Sequence, residues 1–445
     1  LGGVLGGGLM QAWAARHPDA AAPAAAPRGN HLADAADPDA PSGHATEDRA
    51  VTAADLSERV VLHWLAVGGG ADPSSTQVQL EQDLSLFAAL AATGESPGAV
   101  LFAGGPGVRA VQVLDHATPE LDAHTALREE LGALLDPRPE RDARYRIPTL
   151  KVDAPADASA VLALLTEQLA QPGPRLDVFV ATHGDLGETP AENFVSLWGD
   201  SSFDSRELAT ALQTDGARRS ARVMITACFG GGFADLAFAN ADATAGAARH
   251  GACGLFATSA EHESNGCDAN PDRQAQQGYA LHLLHALRGQ GRDGQPVTGL
   301  DLDGNGQVGL LEAHTRARIA SESIDLPSTT SERFLRSLTL VAAASDAPTA
   351  SYATPEDDAV IAALGARVAL SDEASVTAAR VALEAQLDAL AALADVFYPR
   401  VFLRRAFRVP AGTVSMTVYF HAGAEMLRAV GSDFVLGQAR GQFYH

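Results

Sequence analysis

Two stretches, "RLDVFVATHG" (175–184) and "ARVMITACFGGG" (221–232), decide how this chain folds. Each is a short, continuous apolar run without polar alternation, the pattern of a strand buried on both faces of a parallel sheet. One stops at His183-Gly184 and the other at Cys228, Phe229 and three glycines. Outward from these, "RVVLHWLAVGGG" (59–70), "GAVLFAGG" (98–105) and "CGLFATSA" (253–260) repeat the pattern. Segments 76–93, 117–135, 157–171 and 203–214 carry apolar residues at helical spacing, the last with Asp204 as N-cap. Strands alternating with helices predict an α/β fold, a mostly parallel sheet flanked by helices on both faces. Ligands on such sheets bind beyond the carboxyl ends of the strands, where His183 and Cys228 both fall.

The 445 residues are enough for a large core, and 46% apolar with 20% charged residues is ordinary for a globular protein. The net charge of −23 argues against nucleic acid and anionic membrane as partners, because phosphate attracts Lys and Arg. It is compatible with a divalent cation or a basic substrate. Three cysteines, Cys228, Cys253 and Cys267, exclude a disulfide-dense scaffold, and the odd number leaves at least one thiol unpaired. A Cys253–Cys267 bridge with Cys228 free is one reading, which sequence does not establish.

The opening "LGGVLGGGLMQAWAA" is apolar, with a small-x-small Ala12-Trp13-Ala14. It reads as the remnant of a secretory signal, implying a periplasmic or extracellular protein, or else as a Gly/Ala-rich tail on a cytoplasmic one. No other run approaches the ~20 apolar residues of a membrane span. Three regions follow: 1–58, the signal remnant and a disordered Ala/Pro-rich segment; 59–345, the main domain; and 346–445, mainly helical. The third opens on a linker, "SDAPTASYATPEDD", followed by a long helix over 374–398 and a strand over 412–423.

Nucleophilic catalysis by a thiol needs a thiolate, an imidazole within reach and donors for an oxyanion. Glycines after Cys228 let the backbone turn sharply and present the sulfur at the sheet edge. Gly184 admits close approach of a substrate, and the backbone N–H groups of Gly184 and Cys228 are candidate oxyanion donors. A single strand-end cysteine is usually packing, and a lone histidine beside glycine is usually a turn residue. Matching strand–turn contexts in both, in this order and close together in sequence, favour catalysis.

"VFVATHG" and "VMITACFGG" resemble the two catalytic blocks of the caspase–legumain superfamily, and "GGFADLAF…HGACGLFATSAEHESNGC" resembles its bacterial caspase-like and legumain-like peptidases. The resemblance covers residues 59–340, most specifically 175–270. It implies a caspase-like fold and a cysteine endopeptidase acting on a protein or peptide, with Cys228 as nucleophile and His183 as general acid toward the leaving amine. Thr226 stands where many relatives carry Asp, Glu or Gln, which leaves the preferred substrate residue open. Asp185 stands where a small residue is common, and a carboxylate there would favour the protonated ring. A catalytically inactive caspase-like binding module is the alternative, and a nucleotide-binding oxidoreductase a weaker third.

"DLDGNGQVGLLE" (301–312) fits the EF-hand pattern D-x-[DN]-x-[DN]-G-x5-E without a mismatch. Asp301, Asp303 and Asn305 offer side-chain oxygens, Gln307 its carbonyl, and Glu312 a bidentate carboxylate, a hard-oxygen set suited to a structural calcium ion. "GLLEAHTRARIA" supplies the exiting helix, whereas no helix enters directly. The bland reading is an acidic turn before a helix. No organic cofactor is expected. Gly94-Glu95-Ser96-Pro97-Gly98 follows a helix and precedes a strand, the reverse of a nucleophile elbow. Gly105-Pro106-Gly107 reads as a turn, not a dinucleotide loop. His262, His282 and His285 lack a zinc-site pattern.

Overall fold

The computed structural model describes residues 61–92, 96–114, 143–249, 252–337 and 354–368, with Ala378 and Val381. The predicted helix over 117–135, the strand over 412–423, the first 58 residues and nearly all of the 374–398 helix lie outside these; Ala378 and Val381 are helical. In chain order the elements are β1 (Trp64–Gly69), α1 (Val78–Ala91), β2 (Gly98–Phe102), β3 (Val111–Leu114), β4 (Ala143–Arg146), α2 (Ala158–Ala170) and β5 (Leu176–Asp185). Then come β6 (Phe194–Leu197), β7 (Ser201–Asp204), α3 (Ser205–Leu212), β8 (Ala221–Ile225), β9 (Ala252–Phe256), α4 (Tyr279–Arg288), α5 (Leu310–Ala320), β10 (Ser328–Thr329), α6 (Thr330–Ser337) and α7 (Pro355–Val368).

The main sheet runs β10-β9-β8-β5-β1-β2, parallel except for β10. Alternate side chains enter opposite layers. Leu65, Val67, Leu101, Val178, Val180, Val223 and Ile225 meet Val161, Leu164 and Leu165 of α2 and Leu208 and Leu212 of α3. Ala66, Val100, Phe102, Phe179, Ala181 and Met224 meet Leu80, Leu84 and Phe87 of α1, Leu283 and Leu284 of α4, and Ala313 of α5. Phe87 stacks on Phe179 with ring centroids 4.8 Å apart. The expected α/β architecture, helices on both faces of a mostly parallel sheet, is what forms.

N-caps start two of these helices. Asp157 accepts from Ala160 N–H at the start of α2, and Asp204 forms a reciprocal capping box with Glu207 on α3. Two hairpins went unread in the sequence. β3 and β4 pair antiparallel as a separate ribbon, and β6 and β7 fold onto the far end of β5. The expected linker over 345–358 also needs correction, because α7 begins inside it, at Pro355. Proline is favoured in a first helical turn, and Glu356, Asp357 and Asp358 there complement the helix dipole. Val360 is buried, and Asp357 lies 3.5 Å from Arg318 of α5.

Arg219 ties the start of the sheet together. It is 8% exposed and donates to the carbonyls of Gln168, Leu62 and Pro174 and to Gln168 Oε1, at 2.6–3.2 Å. Gln168 Oε1 in turn accepts from Leu62 N–H at 2.8 Å. Arg219→Met keeps the stem but orphans these acceptors, so denaturant unfolding should show a loss of about 2–4 kcal/mol. A loss below about 0.5 kcal/mol, the ordinary range for surface positions, would contradict this account.

Candidate active site

β5 and β8 run in parallel with Leu176 facing Ala221 and Val180 facing Ile225, an offset of 45 residues. The ladder continues past the end of β8, since Thr226 N–H donates to the Val180 carbonyl at 2.9 Å. Carried three residues further, this register sets Cys228 beside His183. The two chains touch here: a Cβ on Gly184 would stand 2.2 Å from the Cys228 carbonyl oxygen and 3.1 Å from Ala227 Cβ. Gly184 is therefore required by close backbone approach, not by an unusual dihedral.

The structure corrects where His183 sits. β5 does not stop at His-Gly but runs on to Asp185, and His183, Gly184 and Asp185 pair with Ser196, Val195 and Phe194 of β6. Cys228 lies three residues beyond β8, in a turn whose next residue, Phe229, has φ +56°. A left-handed conformation is costly for a bulky residue and persists only where surroundings impose it. They do so here: Phe229 N–H donates to the His262 carbonyl at 2.8 Å, and Asn193 Nδ2 donates to the Phe229 carbonyl at 3.0 Å. Asn193, 1% exposed, also donates to the Ala260 carbonyl and accepts from Gly187 N–H, so one side chain joins three loops around the sulfur.

Both groups lie on the α1/α4 side of the sheet. His183 follows Phe179 and Ala181 in alternation, and its Nε2 is 2.9 Å from Oε1 of Gln77, at the head of α1. Cys228 Sγ accepts from Ser264 N–H at 3.3 Å and lies 3.5 Å from the Ser264 carbonyl. Each side chain thus holds its own partner. Burial pulls the His183 imidazole below its ordinary pKa, with the Ser75 carbonyl and Asp72 carboxylate opposing. Burial pushes the Cys228 thiol up, and the charges of Glu263 and Asp325 push the same way against its bonds to Ser264. Both shifts favour the uncharged forms, thiol and neutral imidazole.

Other expected neighbours take different places. Asp185 is exposed and accepts from Leu186 N–H, so the carboxylate acting on the ring is Asp72. Thr226 is 3% exposed, with its hydroxyl 3.3 Å from the Val180 carbonyl, and so is occupied in the strand ladder. All three cysteines are free, which overturns the Cys253–Cys267 bridge. Cys253 faces Arg222 near the amino end of the strands, whereas the 264–267 loop packs beyond their carboxyl ends, beside Thr226. Four residues of strand span about 13 Å, well over the Cα separation of about 7 Å a disulfide tolerates. Asn193 and Gln77 were missed in the sequence, and only Gln77 left a trace there, as an amide at a helix start.

The acidic loop is folded around a common centre. Ligand oxygens of Asp301, Asp303 and Glu312 lie within 4.8 Å of one another, a cluster able to hold a metal ion. Asp301 accepts from Gly306 N–H, Asp303 and Asn305 accept from the backbone two residues on, and Glu312, 3% exposed, accepts from Leu302 and Gly309 N–H. Gly306 takes φ +82°, the sharp turn the pattern requires. The exiting helix is α5; α4 ends at Arg288, well before the loop.

A family model for the acyl-CoA thioesterase C-terminal domain matches residues 358–443. The search of curated proteins found no match. Among solved structures, caspase-1 from Spodoptera frugiperda is similar at 12% identity, over 60% of this chain and 87% of that one, with a TM-score of 0.32. Among the described residues, no helix is long and apolar enough to cross a membrane.

Two thiol measurements check the site. Protein unfolded without reductant should titrate as three thiols per chain, matching three free cysteines. In the folded protein, alkylation of Cys228 should accelerate only above the ordinary thiol pKa. A rate already at its plateau at neutral pH would reveal a preformed thiolate and contradict the raised thiol.

Proposed function

We propose that the chain is a caspase-like cysteine endopeptidase, with Cys228 as nucleophile and His183 as its acid–base partner. The observation that carries the reading is the β5–β8 register, which sets the two residues side by side beyond the parallel sheet, where such folds bind ligands. From the neutral pair, His183 takes the thiol proton as the sulfur attacks the peptide carbonyl carbon. The oxyanion is held by the N–H groups of Gly184 and Cys228. The imidazolium then gives its proton to the departing amine, leaving a thioester. Water, deprotonated by the same ring, hydrolyses it and restores the thiol. Substrate binding first has to separate Cys228 from Ser264.

That occupied, raised thiol also favours a second reading, a catalytically silent caspase-like module that binds peptides. A peptidyl electrophile separates the two. It should label Cys228 in the full chain, Cys228→Ala should abolish labelling and cleavage, and His183→Ala should slow cleavage by about 100-fold or more. Equal labelling of Cys253 or Cys267 would favour the silent module. A peptide library varied at the residue before the scissile bond gives the specificity.

The acidic loop fits calcium, because it gathers the hard carboxylate oxygens of Asp301, Asp303 and Glu312 within 4.8 Å of one another. Asp301, Asp303, Asn305, Glu312 and the Gln307 carbonyl would hold it, and the ion would supply charge compensation that stiffens the start of α5. Calorimetry should show one calcium site, weakened at least about tenfold in Asp301→Ala. Absence of heat with the wild-type chain would end this proposal.

A further inference from the structure

Gln77 occupies a position where its residue type is unexpected. It is the N-cap of α1, extended at φ −70° and ψ 151°, a place favoured by Ser, Thr, Asp and Asn. Its side chain makes no cap hydrogen bond. The amide is used elsewhere: Nε2 donates to the Ser74 carbonyl at 3.1 Å, and Oε1 faces His183 Nε2 at 2.9 Å. The bond to Ser74 decides which end of the amide meets the ring, since a carbonyl accepts only from the N–H₂ end. An acceptor oxygen therefore confronts Nε2, and that nitrogen has to carry a proton.

The segment bearing Gln77 is braced. Asp72 and Ser75 form a reciprocal capping box over residues 73–75. Thr76, fully buried, donates to the Asp72 carbonyl and accepts from Gly70 N–H, while its own carbonyl accepts from Gln112 N–H at 2.8 Å. The oxygen of Gln77 is thus held in place before any substrate arrives, at little further entropic cost.

We infer that Gln77 is a positioning residue for His183: it fixes the neutral imidazole as the Nε2–H tautomer and leaves Nδ1 as the nitrogen that exchanges protons. The inference rests on the peptidase reading for its consequence but not for its geometry. An imidazole held in the wrong tautomer has its lone pair turned away from the reacting atoms, so the loss falls on kcat and not on KM. The signs for substitutions follow. Gln77→Met preserves length but removes the side-chain acceptor on Nε2, leaving the Ser75 carbonyl as the backbone acceptor near the ring. Gln77→Glu keeps an acceptor and adds a negative charge, which stabilises the imidazolium and raises the pKa of the ring.

The test uses the full chain. Cleavage of a peptide found by library profiling should fall about tenfold or more in kcat with Gln77→Met, at unchanged KM. Gln77→Glu should retain most of the rate at alkaline pH. It should move the acidic limb of the kcat/KM profile to higher pH, because activity in the neutral-pair mechanism requires an unprotonated ring. Nitrogen NMR of histidine-labelled protein, with His183 assigned by His183→Gln, should show Nε2 protonated at neutral pH in the wild type and a tautomer mixture in Gln77→Met. An Nδ1–H tautomer in the wild type, or an unchanged rate and pH profile in both variants, overturns the inference. If the wild type cleaves nothing, the peptidase reading falls, and the NMR result alone decides the role of Gln77.

Discussion

A slip of one residue between β5 and β8 would turn His183 to the α2/α3 side of the sheet, because side chains alternate along a strand. The register is therefore the constraint on which the site depends. Several features fix it. Arg222 Nε donates to Asp177 Oδ1 at 2.6 Å, directly across the two strands, and a second nitrogen of the same guanidinium grips Oδ2. Phe179 and Met224 face each other within one layer, and Val180 and Ile225 within the other. At the far end the Gly184 backbone fits against the Cys228 carbonyl with no room for a Cβ. A partly exposed ion pair adds little net stability. Its value here is geometric, since the wrong register leaves two charges unpaired at a sheet that is otherwise apolar.

Burial works against the chemistry the site is read as performing, and the direction is the same at both groups. It lowers the imidazole and raises the thiol, so each is held in its uncharged form. A preformed ion pair would need a strong positive field at the sulfur, yet the charges that reach it, Glu263 and Asp325, are negative. In the proposed peptidase, attack would therefore have to be coupled to proton transfer, with the imidazole aimed before substrate binds.

The strands of the main sheet were legible because burial on both faces leaves little but apolar residues, and that pattern is local. His183 and Cys228 stood out because each closes such a run with glycine one or two residues on. The β6–β7 hairpin was not, since four-residue strands such as "FVSL" and "SSFD" carry too few periods to register. Its connection held the cue: Gly199 and Asp200 both take positive φ, at +76° and +56°, conformations that Gly and Asp tolerate best. Gln77 and Asn193 are harder still. Gln77 lies 106 residues from His183, and Asn193 reaches Phe229 over 36 and Ala260 over 67. Polar side chains acting over such separations leave no periodicity behind. The cysteine pairing stayed open for a related reason, because sequence spacing says nothing about opposite ends of a sheet.

The loop behind Cys228 belongs to the same packed unit as the acidic loop. Ser264 N–H points at the sulfur, and the next residue, Asn265, donates its N–H to Asp325 at 2.8 Å. Burial pushes that Asp325 carboxyl up to about 6, against hydrogen bonds from Ser323, Asn265 and the Tyr279 backbone. Tyr279 opens α4, and its hydroxyl lies 2.8 Å from Nδ1 of His314, which burial keeps neutral by pulling it down to about 3. His314 follows Glu312 on α5 by two residues. Polar contacts thus link Cys228 through Ser264, Asn265, Asp325 and Tyr279 to His314, two residues from Glu312 in sequence. Spatial continuity of this kind is not itself energetic coupling, which requires an element with two arrangements. What the contacts do establish is stiffness. A buried carboxylate and a buried imidazole, each held by partners on other elements, resist displacement because moving either would strand a polar group without water.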